Sequence, residues 1–354
     1  YMQLPRLACP QQSPPLWSSA LARWSEKFQI PSEWLRKLKD YPEDFQKAGE
    51  NAAQQRLTFF LEEEHYHRYN AHISRPLESR DSCSRLSPHL AWGTLSLREI
   101  YQRALHRYEQ SSHRAPLRGF ISRLHWHSHF IQKMEMEHRM EWANLNRGMD
   151  GLDRGEDPTL RRAWEKGETG FPLVDACMRA LQHTGYINFR MRAMLVSFFT
   201  HHLWQSWQTG VHHLARLFLD YHPGIHYPQF QMQSGTTGIN SVRTYNPVKQ
   251  SQDHDEKGTF IRRWLPELEQ VPGPLIHTPW KLSPWEQQWY NVNLGETYPR
   301  PIIDYQVGAA RARDQLHKAK KWPQSRAESQ RILRKHTTAT RNIDQRTRDV
   351  IQSS

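Results

Sequence analysis

The hydrophobic positions between residues 169 and 247 predict two consecutive helices that lie in a protein core. In the first helix, Val174, Met178 and Leu181 recur at the i, i+4 and i+7 spacing of one helical face. Thr184 and Gly185 interrupt this pattern. The second helix has a wide apolar stripe, which is typical of a helix packed between other helices. The stripe consists of Met191, Met194, Leu195, Phe198, Phe199 and Leu203.

Charged residues accompany both helices. Asp175 and Arg179 are four residues apart on the first helix, and this spacing predicts an ion pair. Arg190 and Arg192 lie at the start of the second helix. Because burying an unpaired charge is costly, we expect an anion beside these two arginines.

The rest of the chain divides into three regions. Residues 1–45 are rich in proline and form a predicted connector, with short helices at 16–28 and 31–38 that end at prolines. Residues 46–322 form a predicted helical domain, in which long helices are expected at 48–66 and 119–142. Residues 323–354 form a predicted basic tail, either a polar helix or a flexible arm.

Composition favours a polyanionic partner. The 354 residues carry a formal net charge of +12, and aromatic residues make up 11% of the chain. Positive charge accompanied by aromatic side chains favours DNA over the alternative of a basic protein with no such partner. From residue 311 onward, 12 Lys or Arg face 4 Asp or Glu. Phosphate contact and simple solvation explain this excess equally well.

Cysteines and hydropathy indicate the compartment. Cys9, Cys83 and Cys177 lack the paired spacing of a disulfide framework or a four-cysteine metal site. We therefore expect a reducing intracellular compartment, either the cytoplasm with its nucleoid or the nucleus. No apolar run approaches membrane-spanning length, so no membrane partner is expected. A monomer is expected.

Three histidines invite a metal interpretation that the spacing does not favour. His125, His127 and His129 alternate along the predicted helix 119–142. Only His125 and His129 share a helical face, and no HExxH or cysteine pattern joins them. We therefore expect no metal site, and interpret these side chains as polar groups that line a cavity or face phosphate.

Three ordered motifs resemble the flavin-binding half of the photolyase/cryptochrome superfamily. The first is T-G-F-P-L-V-D-A-C-M-R-A-L at 169–181 with T-G-Y-I-N-F-R-M-R at 184–192. The second is S-R-L-S-P-H-L-A-W-G-T-L-S at 84–96, and the third is Y-N-P at 245–247 leading to G-T-F-I-R-R-W-L-P-E-L at 258–268. The resemblance implies an all-α FAD-binding domain that holds one FAD. An α/β antenna domain, which full-length members carry, is expected to be absent or to precede Tyr1.

The resemblance also implies which residues bind FAD. The turn at 83–87 matches one that holds the pyrophosphate, because small side chains let N–H groups and hydroxyls approach phosphate oxygens. Arg192 matches an arginine near the flavin ring, and Asp220 its carboxylate partner. His226 matches the position that faces the reactive nitrogen of the flavin. The implied cofactor-binding residues are Tyr69, Cys83, Ser84, Arg85, Leu86, Ser87, Phe120, His127, Arg192, Asp220, Tyr221, His222 and His226.

The implied catalytic residues are Trp126, Arg123 and His226. Trp126 matches a tryptophan that stacks on the damaged base pair, and an aromatic ring beside arginine suits a nucleobase. The alternative for Trp126 is an ordinary core position. Arg123 stands where thymine-dimer repair enzymes have a glutamate, and Phe189 where they have an asparagine.

The family's electron relay is also altered. Phe230 matches the tryptophan nearest the flavin, whereas Trp207 and Trp164 match the more remote ones. Phenylalanine carries a hole far less readily than tryptophan, so we expect the first hop to be broken.

The preferred interpretation is an FAD-dependent, blue-light-driven photolyase-type lyase that repairs pyrimidine lesions in DNA. The alternative is a cryptochrome-like photoreceptor without repair activity. A helical DNA-binding module that has lost its cofactor would leave Ser84, Ser87, Arg192 and Asp220 unexplained. Repair and signalling both stay open at this point.

Overall fold

The computed structural model describes residues 31–33, 36 and 44–336. These residues are largely helical and contain no β-sheet beyond two isolated bridges, which confirms the all-α class. The α-helices are α1 (Glu50–Leu61), α2 (Tyr69–His72), α3 (Ser79–Ser82), α4 (Ser87–Ala91), α5 (Leu97–Gln110), α6 (Arg114–Met136), α7 (Pro158–Lys166), α8 (Pro172–Thr184), α9 (Phe189–Ser197), α10 (Trp207–Leu217), α11 (Pro223–Ser234), α12 (Pro247–His254), α13 (Thr259–Trp264), α14 (Gly273–Ile276), α15 (Pro284–Trp289), α16 (Tyr305–Lys321) and α17 (Pro323–His336).

The two helices at the centre of the chain begin and end at residues that suit helix termini. Pro172 occupies the first turn of α8, where its missing N–H costs nothing. Gly185 ends α8 in the left-handed conformation, with a φ of 64°. The side chain of Asn188 caps α9 by accepting a hydrogen bond from the N–H of Met191. A π-helix, Phe198–His202, follows α9 directly.

The interior consists of two main hydrophobic clusters. The larger contains α8, α9 and the helices that follow them, and the smaller contains α1, α5 and the first half of α6. Helix α6 packs against both α5 and α11. It ends at Met136 and is followed by a 3-10 turn, His138–Glu141, so the helix predicted at 119–142 is shorter at this end.

The first part of the predicted basic tail forms α17 and packs against the domain. Ser325 and Ile332 are buried at this contact. The backbone of α17 lies so close to Gly148 that a Cβ there would come within 2.3 Å of the Ser325 nitrogen. The carboxylate of Glu137 accepts hydrogen bonds from Arg331 at 2.7 Å and from Lys335 and His336. Part of the positive charge in this segment is therefore neutralised within the fold by Glu137.

Some expectations concern residues that the structure does not describe. The helix predicted at 16–28, most of that at 31–38, Cys9 and the tail beyond residue 336 lie outside the described residues. Cys83 and Cys177 are free and buried. Within the described ranges, none of the helices combines the length and apolar character needed to cross a membrane.

Asp175 and Arg179 do not pair, so this prediction was wrong. The buried Asp175 carboxylate accepts four hydrogen bonds: from the N–H and hydroxyl of Thr169, the N–H of Gly170 and the hydroxyl of Tyr298, at 2.6–3.0 Å. These donors saturate the carboxylate, and Arg179 instead pairs with Glu267 at 2.7 Å. Burial raises the pKa of Asp175 to about 6 although its donors act in the opposite direction, so the group is ionised at pH 7.

Asp175→Asn should destabilise the fold by about 3 kcal/mol, because the new NH₂ group would face donors instead of accepting from them. Urea unfolding measures this loss. Asp157→Asn is the matched control, since Asp157 caps α7 and asparagine caps a helix equally well. Equal unfolding midpoints for the two variants would contradict the role given to Asp175.

Candidate functional site

Most of the predicted cofactor-binding residues lie in three chain segments that are neighbours in space: the turn at 83–87, residues 186–192 and residues 218–226. Their strongest link is the ion pair of Arg192 and Asp220. The Nη1 and Nη2 of Arg192 donate to the two carboxylate oxygens of Asp220 at 2.9 and 2.8 Å. Ser87 lies close enough to Asp220 to help lower the pKa of its carboxyl group, Arg192 lies over the ring of Phe218, and Arg85 lies over the ring of Tyr186, so the three segments are neighbours.

Arg192 and Asp220 form a buried ion pair in which the two charges balance each other. The side chain of Asp220 is only 5% exposed. Burial alone would raise its pKa, but Arg192 holds the pKa below the usual range of an aspartic acid. The third guanidinium nitrogen of Arg192 donates to the carbonyl of Ile187 at 2.9 Å. The anion expected beside Arg192 is thus Asp220, whereas Arg190 lies over the ring of Tyr245.

A second group of arginines surrounds Tyr186. Arg85 lies 4.3 Å from the centre of the Tyr186 ring, and Arg80 and Arg192 each lie 5.8 Å from it. Arg85 has a left-handed backbone with a φ of 49°, and its Nε and Nη2 are buried without a hydrogen-bond partner. Arg80 donates to Thr184 and to the Tyr186 carbonyl. This region therefore carries positive charge that suits an anionic ligand.

Two residues in this region were not predicted as site residues. Tyr186 belongs to the T-G-Y motif, and that motif is the signal by which Tyr186 could have been predicted as a site residue. Arg56 on α1 donates to the carbonyls of Cys83 and Ser84 at 2.6 and 3.0 Å, which fixes the predicted phosphate-binding turn. No local pattern marks Arg56, because its partners are 27 and 28 residues away.

Helix α6 reaches the same site through Tyr69. The Tyr69 ring packs edge-on against Phe120 with centroids 5.8 Å apart. Arg123 lies close enough to the hydroxyl of Tyr69 to act on its pKa in the lowering direction, although burial raises that pKa overall. Trp126, one turn further along α6, is 42% exposed, so the alternative of an ordinary core tryptophan does not hold. Leu86 is buried in the smaller cluster behind the turn at 83–87.

His226 presents a hydrogen-bond acceptor at the start of α11. Its Nε2 lies 2.9 Å from the carbonyl of Val211, which can only accept, so Nε2 carries the proton. Burial lowers the pKa of His226 to about 4, and the ring is neutral at pH 7 with Nδ1 as an acceptor. Tyr221 packs against His226, and the ring of His127 lies 6.3 Å from that of His222.

Aromatic rings continue inward from His226. The ring centroid of Phe230 lies 5.6 Å from that of His226, and the ring centroid of Trp207 lies 6.5 Å from that of Phe230. The indole N–H of Trp207 donates to Asn144 at 2.9 Å. Trp164 is buried in a different environment: its ring is tilted against that of Phe199, with centroids 4.4 Å apart, and its N–H donates to the Leu195 carbonyl. The structure thus brings Phe230 and Trp207 together, and places Trp164 against other partners.

The remaining candidates can be located briefly. Phe189, at the start of α9, is 49% exposed. Among the residues that the structure describes, no three His, Cys, Asp or Glu side chains are arranged to hold a metal ion.

Comparison with known families explains this arrangement. Residues 120–318 match the family described as the FAD binding domain of DNA photolyase. A deoxyribodipyrimidine photo-lyase of Alkalihalophilus pseudofirmus is 36% identical over 264 residues, which cover 74% of this chain and 54% of the relative. A cryptochrome DASH of Synechocystis is 36% identical over 235 residues, which cover 64% of this chain and 46% of the relative. The chain therefore spans about half the length of the curated relatives it matches.

Solved structures agree with the sequence matches. A bacterial class III photolyase from Agrobacterium tumefaciens superposes with a TM-score of 0.73 at 26% identity, covering 85% of this chain and 61% of that one. A Synechocystis cryptochrome superposes with a TM-score of 0.72 at 31% identity, covering 76% and 56%. The resemblance, the helical fold and the cofactor are confirmed: this chain belongs to the photolyase/cryptochrome family and contains its FAD-binding domain.

Proposed function

We propose that this chain is the catalytic, FAD-binding part of a blue-light-driven DNA photolyase. When bound, FAD would supply the light-driven, reversible electron transfer to a flipped-out pyrimidine lesion that the resemblance implies. The observation that carries the proposal is the exposed Trp126, one helical turn from Arg123, which lies close enough to Tyr69, a proposed cofactor-binding residue, to act on its pKa. An aromatic platform for a base therefore lies beside the residues proposed to hold the flavin.

The residues at the site fit FAD. The buried, unpartnered nitrogens of Arg85 call for an anion, and the pyrophosphate would supply one next to Ser84. Arg192 with Asp220 offers charged donors and acceptors, and Nδ1 of His226 offers a neutral acceptor. A flavin ring has carbonyl and N–H edges that can use both kinds of group. We assign the phosphate end to the turn at 83–87, and the ring end to Arg192, Asp220 and His226.

DNA is the proposed substrate, and two kinds of contact would hold it. Arg123 and Arg118 are exposed on α6 near Trp126, where they can meet phosphates. Trp126 can stack on an unpaired base, and such stacking depends on damage because intact duplex offers no free base face. Arg331 and Lys335 share the single carboxylate of Glu137, so part of the charge in this segment is neutralised within the fold.

A cryptochrome-like photoreceptor is the second candidate. The observation that favours it is the exposed, apolar Phe189, which stands where repair enzymes have asparagine. Together with Arg123 in place of a glutamate, it removes two polar contacts that repair enzymes use. The FAD site serves both functions equally, so lesion binding and repair distinguish them.

Asp220→Ala should reduce FAD retention during purification, because Arg192 would lose its counter-charge and leave the ring end disordered. The absorbance of bound flavin per protein measures retention. Glu267→Gln is the control, since it breaks the partly buried Arg179–Glu267 pair away from the site. Equal retention in both variants would show that Asp220 does not organise the site, and a wild-type chain unable to bind FAD would overturn the proposal itself.

Trp126→Ala should abolish the preference for lesion-bearing over intact duplex, a loss of roughly 1–3 kcal/mol, and leave intact-duplex binding nearly unchanged. Binding of labelled duplexes with and without a cyclobutane or (6-4) lesion measures both quantities. Trp142→Ala is the control, because Trp142 is 56% exposed beyond the end of α6. If the wild-type chain shows no lesion preference and light produces no repair, the photoreceptor function replaces the photolyase.

Phe230→Trp should speed flavin photoreduction, since it places an oxidisable ring between His226 and Trp207. The rate is measured by bleaching of flavin absorbance under blue light with an external reductant. Phe260→Trp, at another buried position, should leave the rate unchanged. An unchanged rate in Phe230→Trp would indicate that another ring, such as Tyr227 or Trp204, already carries the hole.

A further inference from the structure

Helix α17 lies outside the residues that match the family, yet it is a fixed part of the fold. The match ends at residue 318, and α17 begins at Pro323. The side-chain amide of Asn146 donates to the carbonyl of Ser325 and to the hydroxyl of Ser329, both at 3.0 Å. Because the contact with Ser325 is buried, the structure favours a packed helix here over the flexible arm that the sequence left open.

The last turn of α17 meets α6 on the helical face that carries Trp126. Four side chains follow this face at i, i+4, i+7 and i+11 spacing: Trp126, Phe130, Lys133 and Glu137. The ring of Phe130 stacks on that of Trp126, with centroids 5.7 Å apart. At the other end of the row, Glu137 accepts hydrogen bonds from Arg331 at 2.7 Å and from Lys335 at 2.9 Å. The row therefore connects the proposed base platform to α17.

His129 lies between Trp126 and α17. Its ring packs edge-on against that of Trp126, with centroids 5.6 Å apart. Burial lowers the pKa of His129, and Lys133 and His336 act in the same direction, which places both close to it. The ring of His336 in turn lies 3.3 Å from the carboxylate of Glu137. The base platform and the last turn of α17 are therefore neighbours on one surface.

The positive charges at the end of α17 are accessible and only partly balanced. Two carboxylates, Glu137 and Glu328, face three cations at this junction. The cations are Lys133, Arg331 and Lys335. The side chain of Arg331 is 29% exposed and that of Lys335 is 38% exposed, so a ligand can reach both. Arg334, between these two in the sequence, is exposed and adds a further positive charge, so the junction suits a polyanion.

The distance from Trp126 to this charge matches a stretch of nucleic acid backbone. Lys133 and Glu137 follow Trp126 on α6, and a rise of 1.5 Å per residue places them about 10–16 Å away along the helix. A strand of duplex DNA covers this length with roughly three to five nucleotides. Before Trp126, the exposed Arg118 and Arg123 lie on the same helix. Cations therefore lie on both sides of the base platform, which suits a strand that passes over it.

We propose that the last turn of α17 binds backbone phosphates of the DNA strand that leaves Trp126, so that the strand follows α6 from the base platform to Arg334 and Lys335. The inference rests on the proposed function, because it takes Trp126 as the place where an unpaired base stacks. Phosphate contacts of this kind position a strand without reading its sequence. Basic side chains in a last helical turn also stabilise the helix itself, so the test separates the two roles.

Binding of labelled intact and lesion-bearing duplexes to the full chain, measured over a series of salt concentrations, tests the proposal. Arg334→Gln should weaken the binding of both duplexes by about 3-fold and make the slope of log affinity against log salt shallower by about 1, because one phosphate contact is lost. Arg334→Lys keeps the charge and should bind like the wild type. Arg326→Gln is the matched control, since it removes an exposed arginine from the other end of α17, and it should change neither quantity.

Duplexes with uncharged phosphates locate the contact. Methylphosphonates replace the phosphates roughly three to five nucleotides from the lesion, on one side of it in the first duplex and on the other side in the second. With one of these duplexes Arg334→Gln should have no further effect, because the charge that it would contact is already gone. An affinity of Arg334→Gln equal to the wild type, or the same loss with both modified duplexes, overturns the inference. A wild-type chain that binds intact and lesion-bearing duplex equally contradicts the proposed function instead, and the response of intact duplex to Arg334→Gln still tests α17.

Discussion

The helical core depends on the buried carboxylate of Asp175. Its four donors come from the turn before α8 and from Tyr298, 123 residues away. An ionised group at this depth is tolerated because every donor is supplied by the fold itself. The interaction fixes where α8 begins, and hence where α9 and Arg192 lie after it. A polar contact remote from the flavin residues thereby sets their position.

The candidate site contains one buried charge that is fully paired and one that is not. Asp220 is paired through both carboxylate oxygens with Arg192, so its charge is balanced within the protein chain. Arg85 is the opposite case, because two of its nitrogens are left without partners. The Arg192–Asp220 pair holds its two chain segments together. The unpartnered nitrogens of Arg85 are the groups that we propose for ligand binding.

Local patterns predicted the parts of this structure that depend on neighbouring residues. The periodicity at 174–181 and the glycine at 185 located α8 and its end, and the family motifs located Arg192 with Asp220. Partners distant in sequence were not predictable in this way. The spacing of Asp175 and Arg179 suggested a pair, but Tyr298 and the Thr169 turn compete for the same oxygens. Arg56 and the packing of α17 on Gly148 leave no periodic signal either.

The order in which these contacts become possible has a consequence during synthesis on the ribosome. The turn at 83–87 is made more than 130 residues before Asp220, which lies close to Ser87 in the fold. Tyr298 follows later still. A nascent chain therefore cannot bring the residues proposed to bind flavin together until most of the domain has been translated, and we expect capture of the cofactor to be a late step in its maturation.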